Sequence, residues 1–413
     1  MTFNSHDRII LRNLAAQVRE IATRPEMVKR RARWVEHNSL RSKEPMMLVF
    51  PEGAWEELLP DHVLACYDGQ ARAVEWELRR RIYTFQHFKD DSVCEAEWVV
   101  DGRITDTGWG LEPIKVQSSD IRGAFRIQPI LNGRDDLRKL RYPDLVYDPV
   151  DHNRRLEEMQ ELFGDLLTIQ RKGIALISFH LWSQYIYLRG ERDCMTDLID
   201  APEMIQEAMA FFAEGNKRLL QQMIDLNLLS LNNDNTYQSS GGNGYTDMLP
   251  APGFDPGRIR PCDMWASAES QELASVSPRM HRAFALQYEK ELLAPFGLTG
   301  YGCCEDLSGK LTDILTLLPN IRRISISPFA NVDRSAETLQ GKAIFSWKPQ
   351  PAHLVGHFDA AAIRAYIRHT LEVCQINGCF LEMILKDTHT CEHHPDRFDE
   401  WTRIAREEIE RKI

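Results

Sequence analysis

The sequence predicts an α/β protein: a (β/α)8 TIM barrel with an N-terminal helical and extended elaboration. Three observations carry this. From Leu298 to Ile413, short apolar runs alternate with helical patterns in four strand-helix units. Earlier strand-like runs extend the series to eight, the number that closes a barrel of parallel strands. No glycine-rich phosphate turn follows any early strand, which argues against the rival, an open doubly wound sheet.

Residues 1–120 form the elaboration and residues 121–413 the barrel. The elaboration holds a basic amphipathic stretch from Ile21 to Leu40, an extended apolar run from Pro45 to Pro51, and a helix over about Ala71 to Phe85. In the barrel, Phe125 to Leu131, Ile174 to Phe179, Leu228 to Leu231 and Met264 to Ala266 read as strands. Helices over Asn153–Leu167 and Pro202–Asn227 lie between them, the second opened by its proline. Ser277-Pro278 opens a further helix, with serine as cap and proline in the first turn. The run Thr299–Cys304 follows, then a helix over Leu311–Leu318. The alternating run Ile321–Ser327 reads as a strand, Ser335–Leu339 as a short helix and Lys342–Trp347 as another strand. A helix from Phe358 to Asn377 ends at Gly378 in the expected capping position; the strand Cys379–Leu385 and the helix Asp396–Ile413 close the chain.

Composition narrows the function. The chain has 413 residues, 43% hydrophobic and 27% charged, with 23 glycines and 20 prolines, which is the make-up of a folded globular protein. A net charge of −11 has the wrong sign for binding nucleic-acid phosphates. No signal peptide and no run of eighteen apolar residues is readable, so a cytoplasmic protein without membrane partners is expected. Nine cysteines are an odd number at low density, which speaks against a complete disulfide framework and leaves thiols for catalysis or metal binding.

Barrels do their chemistry at the C-terminal ends of their strands. The residues there are His180 and Trp182, then Asn232, Asn233 and Asp234, then Glu269, then Cys303, Cys304 and Glu305. Asn331, Asp333 and Lys348 follow, and the last strand leads to Lys386, Asp387, His389, Cys391, His393 and His394. Thiolates beside imidazoles and a carboxylate suit tetrahedral zinc, which ionises a thiol or polarises a substrate oxygen. The bland alternative is that Cys303 and Cys304 are small buried hydrophobes. Asp234 is a candidate general base, although Asn-Asn-Asp-Asn is also an ordinary turn composition. The run Ser239–Gly244 reads as a mobile loop or lid, since no helix follows it to cradle a phosphate.

The run from Ser277 through Gln287-Tyr-Glu-Lys290 to Gly300-Tyr-Gly-Cys-Cys-Glu305, with Ile324–Phe329, Lys348-Pro and the closing segment around Thr390-Cys391, resembles the uroporphyrinogen decarboxylase-like superfamily. Within it the chain is similar to the zinc-dependent, corrinoid-linked methyltransferase branch. The resemblance spans roughly Ala124 to the C-terminus and is clearest over the last third. That branch carries a His-x-Cys motif after one strand and a distant cysteine after the last, together holding Zn²⁺. By position Cys303 matches the first thiolate and Cys391 the second. Tyr301 stands where the pattern has histidine, which leaves Glu305, Cys304 or His389 to supply the third ligand.

The resemblance implies a methyltransferase that moves a methyl group between a small methylated compound, methoxy-aromatic or methylamine-like, and the cobalt of a corrinoid (cobalamin) protein. His180 and Asp234 would be catalytic, and Trp182, Asn232, Asn233 and Lys348 would contact substrate. The alternative is a cofactor-independent decarboxylase of the uroporphyrinogen type. The arginine-rich N-terminal motif that anchors that substrate's carboxylates has no counterpart here, which favours methyl transfer. A module that binds a corrinoid partner without chemistry is the third reading. Assembly as a homodimer is left open.

Overall fold

A computed structural model describes residues 3–117 and 125–411. Ala124, where the resemblance begins, and Ile413, the expected end of the last helix, lie outside the described residues.

Seven parallel strands form the main sheet: β1 (Met46–Val49), β2 (Ser178–Phe179), β3 (Trp265–Ala268), β4 (Leu298–Tyr301), β5 (Ile321–Ile326), β6 (Ile344–Trp347) and β7 (Phe380–Leu385). From β2 to β7 each strand pairs with the next in the chain, and β1 pairs with β7. First and last strands side by side is the winding of a barrel. Among the described residues no ladder joins β1 to β2, so the expected eight-stranded closed barrel is instead a seven-stranded sheet of TIM-barrel-like winding, open at one seam.

Two strand assignments differ from expectation. Phe125–Gln128 pairs antiparallel with Ile114–Gln117 outside the main sheet, because β-propensity marks an extended segment without saying which edge receives it. The strand expected over Leu228–Leu231 is reduced to one parallel bridge, Ile174 to Leu229. Conversely, the Pro45–Pro51 run, read as part of the N-terminal elaboration, supplies β1. Its register is Met46 to Glu382 through Val49 to Leu385.

Side chains finish the outer edge of β1. Asp91 accepts from the Met47 amide (2.8 Å) and Asp90 from the Val49 amide (3.0 Å), so carboxylates occupy donors that a neighbouring strand would otherwise use. Across the seam a separate parallel pair, Glu97–Asp101 with Thr168–Lys172, leads toward the start of β2.

The helices follow the periodic stripes closely. Pro202–Asp225, Ala360–Ile376 and Asp396–Glu410 each bury one face, contributing Met204, Phe212, Ile367, Leu371, Trp401 and Ile404 to a single large core around the sheet. Ser277 caps its helix by accepting from the Met280 amide. The basic N-terminal stretch resolves into the end of one helix, Ser5–Ala22, and the whole of another, Pro25–Asn38, broken where Pro25 starts the second.

The glycine-rich run is the largest departure from expectation. Tyr237–Gln238 and Gly242–Asn243 pair as a short antiparallel hairpin, and residues 240–246 are buried. Its backbone lies against the sheet: a Cβ on Gly242 would sit 2.3 Å from the Arg323 guanidinium, and one on Gly241 (φ +134°) 2.5 Å from Ile384. Asn38 donates to the carbonyls of Asn243 (3.2 Å) and Tyr245 (2.8 Å), anchoring the hairpin to the N-terminal helices. The segment is a plug packed on β5 and β7, and its glycines are there for close approach.

Candidate functional site

The C-terminal end of β4 makes a sharp bend. Gly302, at φ +90°, turns the chain, and the Cys303 amide donates to Glu305 Oε2 (2.8 Å) while the Ser325 hydroxyl donates to the Cys303 carbonyl (2.7 Å). In an extended strand successive side chains point to opposite faces. Here the bend sets the two sulfurs 3.4 Å apart. The contact between them and burial push the Cys303 thiol up, and the same contact holds Cys304 below the ordinary thiol value. Burial lifts the Glu305 carboxyl to about 7 against the pull of the Cys303 amide, with Glu269 adding repulsion.

At the neighbouring strand ends, His180 Nδ1 meets Glu269 Oε1 at 2.5 Å. Burial opposes a charged imidazole, but the hydrogen bond and charge of Glu269 outweigh it and raise His180 above its ordinary value. Lys348, after β6, is buried and donates to the carbonyl (3.0 Å) and hydroxyl (2.7 Å) of Ser346. Burial, helped by Lys386 and Arg323, pulls its amine down to about 7. Lys386, after β7, stays cationic: Tyr237, Asp387, Cys303 and Glu52 raise it despite burial. Thiols, acids and lysines from β2, β3, β4, β6 and β7 therefore share one electrostatic neighbourhood at the rim.

Under the rim, Arg323 and Glu382 form an ion pair (2.9 Å) with no solvent exposure. Glu382 also accepts from Ser346, and Arg323 donates to Asn38 (2.8 Å) and Asn243 (3.2 Å). Burial opposes the charge of Glu382, yet Arg323, His37 and Lys348 hold it well below the usual carboxylate range.

The open seam holds a cleft of about 880 Å³. Phe50, Trp55, Trp76 and Tyr237 give it an aromatic wall, and Arg80, Lys172 and Asp234 are among its charged groups. Asp234 accepts from Lys172 (2.5 Å) and from the Thr236 hydroxyl and amide, so it is an anchored group at the cleft wall. Tyr237 and Glu52 line the cleft and also interact with Lys386, which joins it to the rim.

Several expected site residues are spent elsewhere. Trp182 is completely buried and its indole donates to the Phe284 carbonyl (3.0 Å), so it belongs to the core and offers no surface to a substrate. Asn232 stitches the chain at the seam: it donates to the Ala175 and Trp265 carbonyls and accepts from the Trp265 amide. Asn233 donates to the Leu249 carbonyl. Asn331 caps the helix Val332–Leu339. His389 is exposed and packs on Gly53.

The zinc ligands implied by the resemblance do not come together. Cys391 donates to Glu57 Oε2 (3.1 Å), and burial with that carboxylate lifts its thiol to about 11. Tyr301, in place of the family histidine, faces a buried network: its hydroxyl donates to Glu289 (2.8 Å) and lies 2.8 Å from His281 Nε2. Among the described residues no three His, Cys, Asp or Glu side chains form a group able to hold a metal ion. The placement seen here therefore does not fit the implied site.

Lys172, Glu52, Tyr237 and Glu57 were not singled out from the sequence. Lys172 ends a strand, Thr168–Lys172, that sequence reasoning did not assign; Glu57 carries no local signal, because its partner lies 334 residues away.

No family model and no curated protein matches the chain. Among solved structures, a methyltransferase from Methanosarcina mazei is similar at 13% identity and a TM-score of 0.37, covering 65% of this chain and 72% of that one. Among the described residues no helix is long and apolar enough to cross a membrane.

Proposed function

We propose that the chain is an enzyme of methyl transfer, moving a methyl group from a small O- or N-methylated compound to a nucleophilic acceptor, the cobalt of a corrinoid carried by a partner protein. One observation carries the reading: a thiol pair, an acid titrating near neutrality and a histidine-carboxylate pair lie together at the C-terminal ends of neighbouring strands of a barrel-like sheet. The resemblance of the segments around Cys303 and Cys391 supports it.

When the acceptor attacks the methyl carbon, the carbon–oxygen or carbon–nitrogen bond breaks and its electron pair stays on the leaving atom. That atom then needs a proton. Glu305, near 7, and His180, whose affinity for its proton Glu269 raises, are the acids at hand to supply it. The cleft along the seam would hold the donor, its aromatic wall against the methylated group. Zinc does not fit the ligand placement described above, so the reading stands on the protein's own groups.

Lys386, held cationic at the same rim, favours a carboxylated substrate and supports a second reading, cofactor-independent decarboxylation. One experiment separates the two. Purified protein is mixed with cob(I)alamin and a panel of methoxy-aromatic and methylamine donors, and methylcobalamin is followed by absorbance. Formation of methylcobalamin, reduced at least tenfold in Glu305→Gln and His180→Asn, supports methyl transfer. Carbon dioxide release from carboxylated rings with no methylcobalamin assigns the second reading and overturns the first.

A further inference from the structure

The implied zinc set would use Cys303 with Cys391, yet the structure pairs each of them differently. Cys391 is fully buried and bonded to Glu57; Cys303 is half-buried, and its nearest sulfur belongs to its neighbour in the chain. We propose that Cys303 and Cys304 are a modification site: a vicinal dithiol that hydroperoxides close reversibly to a disulfide.

The geometry favours it in three ways. The sulfurs are 3.4 Å apart, already in contact and on the same side of the chain, so a bond of about 2.0 Å is within their reach. The linking peptide is already bent and held, its carbonyl by Ser325 and the preceding amide by Glu305. Both thiols are partly exposed at the rim, whereas Cys66, Cys194, Cys374, Cys379 and Cys391 are buried. The other partly exposed thiols, Cys94 and Cys262, have no cysteine beside them in sequence.

The chemistry balances with one named oxidant. One cysteine sulfur attacks the terminal oxygen of a hydroperoxide, breaking the O–O bond, to give a sulfenic acid and an alcohol. The second thiol attacks that sulfur, the S–S bond forms and water leaves; the two thiols are oxidised by two electrons and the peroxide is reduced by two. Adjacent Cα atoms sit about 3.8 Å apart, below the usual span of a disulfide, so the ring is strained and opens readily to added thiol.

The test does not depend on the methyl-transfer reading. The full-length reduced protein is treated with cumene hydroperoxide without denaturant, and thiols, intact mass and proteolytic peptides are measured. Expected are the loss of two titratable thiols and of two hydrogens in mass, a Cys303–Cys304 disulfide in one peptide, and full reversal by dithiothreitol. Phenylarsine oxide, a reagent for paired thiols, should protect the pair. Cys303→Ser and Cys304→Ser should each abolish disulfide and protection, while Cys391→Ser keeps both; far-UV circular dichroism confirms that each variant is folded. Oxidation that stops at sulfinic acid, a disulfide elsewhere, or thiols that react only after stoichiometric zinc is chelated away overturns the proposal.

Discussion

The thiol of Cys391 donates to the carboxylate of Glu57 across 3.1 Å, tying the loop after β7 to the helical turn after β1. Glu57 also accepts from the Thr390 hydroxyl and from the amides of Cys391 (3.1 Å) and His393 (2.8 Å). One carboxylate thus organises the whole loop that carries the expected second zinc ligand.

Glu57→Gln should therefore loosen the loop. Burial alone would raise the Glu57 pKa, but the four bonds hold it at about 2, below the ordinary 4.5. A carboxyl with a depressed folded pKa contributes stability above its unfolded value, and that contribution is lost as pH falls toward the folded one. The variant should be less stable than the parent by about 1–2 kcal/mol at pH 7, with the gap closing between pH 4.5 and 2. Urea midpoints across this range check it; a gap that does not change with pH would mean that the charge plays no part.

Two glycines, one beside the buried hairpin and one at a helix start, should respond in opposite ways to an added methyl group. A Cβ on Gly244 would lie 1.8 Å from the Asn232 carbonyl oxygen, where backbone meets backbone and nothing can rotate away. Gly244→Ala should destabilise by roughly 3 kcal/mol or more. Gly69 opens the helix Gly69–His87 with nothing within 4 Å of its Cβ position, so Gly69→Ala should stabilise by about 0.5–1 kcal/mol. Thermal unfolding of both variants measures this, and a tolerated Gly244→Ala would show that the plug is not packed as described.

Legibility in the sequence followed the range of the interactions. Helices such as Ala360–Ile376 were readable because their apolar stripe and capping signals are local, and the parallel order of β4 to β7 followed from alternation alone. The seam was not, because it depends on which segment lands beside β1, and there Asp90 and Asp91 complete the edge through side chains. The glycine-rich run looked like a lid because glycine and serine mark flexible loops and close backbone packing alike. At the site, strand-end position alone brings Cys303, Cys304, Glu305 and His180 into view as candidates. It could not reveal that Trp182 turns into the core or that Tyr301 faces Glu289, since both depend on neighbours from distant helices.

Lys348 gives a pH prediction of the opposite sign. Its amine is pulled from 10.5 to about 7 by burial and by the charges of Lys386 and Arg323, so the folded state gives up its proton while the unfolded state keeps it. Between pH 7 and 10.5 the unfolded chain binds more protons, and this group's penalty on stability, full below pH 7, fades as pH rises. Lys348→Met should remove it. The variant should gain on the parent at pH 6.5 relative to pH 10, by on the order of 2–4 kcal/mol, offset by a constant loss for the two Ser346 bonds. Stability curves at the two pH values decide it, and an equal difference at both would place a charged lysine in the fold at neutrality.

The role of His180 as an acid in the proposed chemistry depends on Glu269. The Nδ1 contact at 2.5 Å and the buried carboxylate raise the imidazole pKa above 6.5 against the pull of burial. Because the folded pKa is raised, the pair's contribution to stability is fully present below pH 6.5 and is lost as pH rises through the folded value. Glu269→Gln keeps a hydrogen-bond acceptor but removes the charge, leaving burial to dominate, so His180 should then titrate below 6.5. Histidine ring signals followed by NMR from pH 5 to 9 distinguish the two proteins, with His180→Asn assigning the resonance. If methyl transfer uses this proton, the alkaline limb of its pH profile moves to lower pH in Glu269→Gln by the same interval as the NMR titration. A moved titration with an unmoved rate profile would leave Glu305 as the acid, whereas an unmoved titration would show that Glu269 orients His180 without setting its charge.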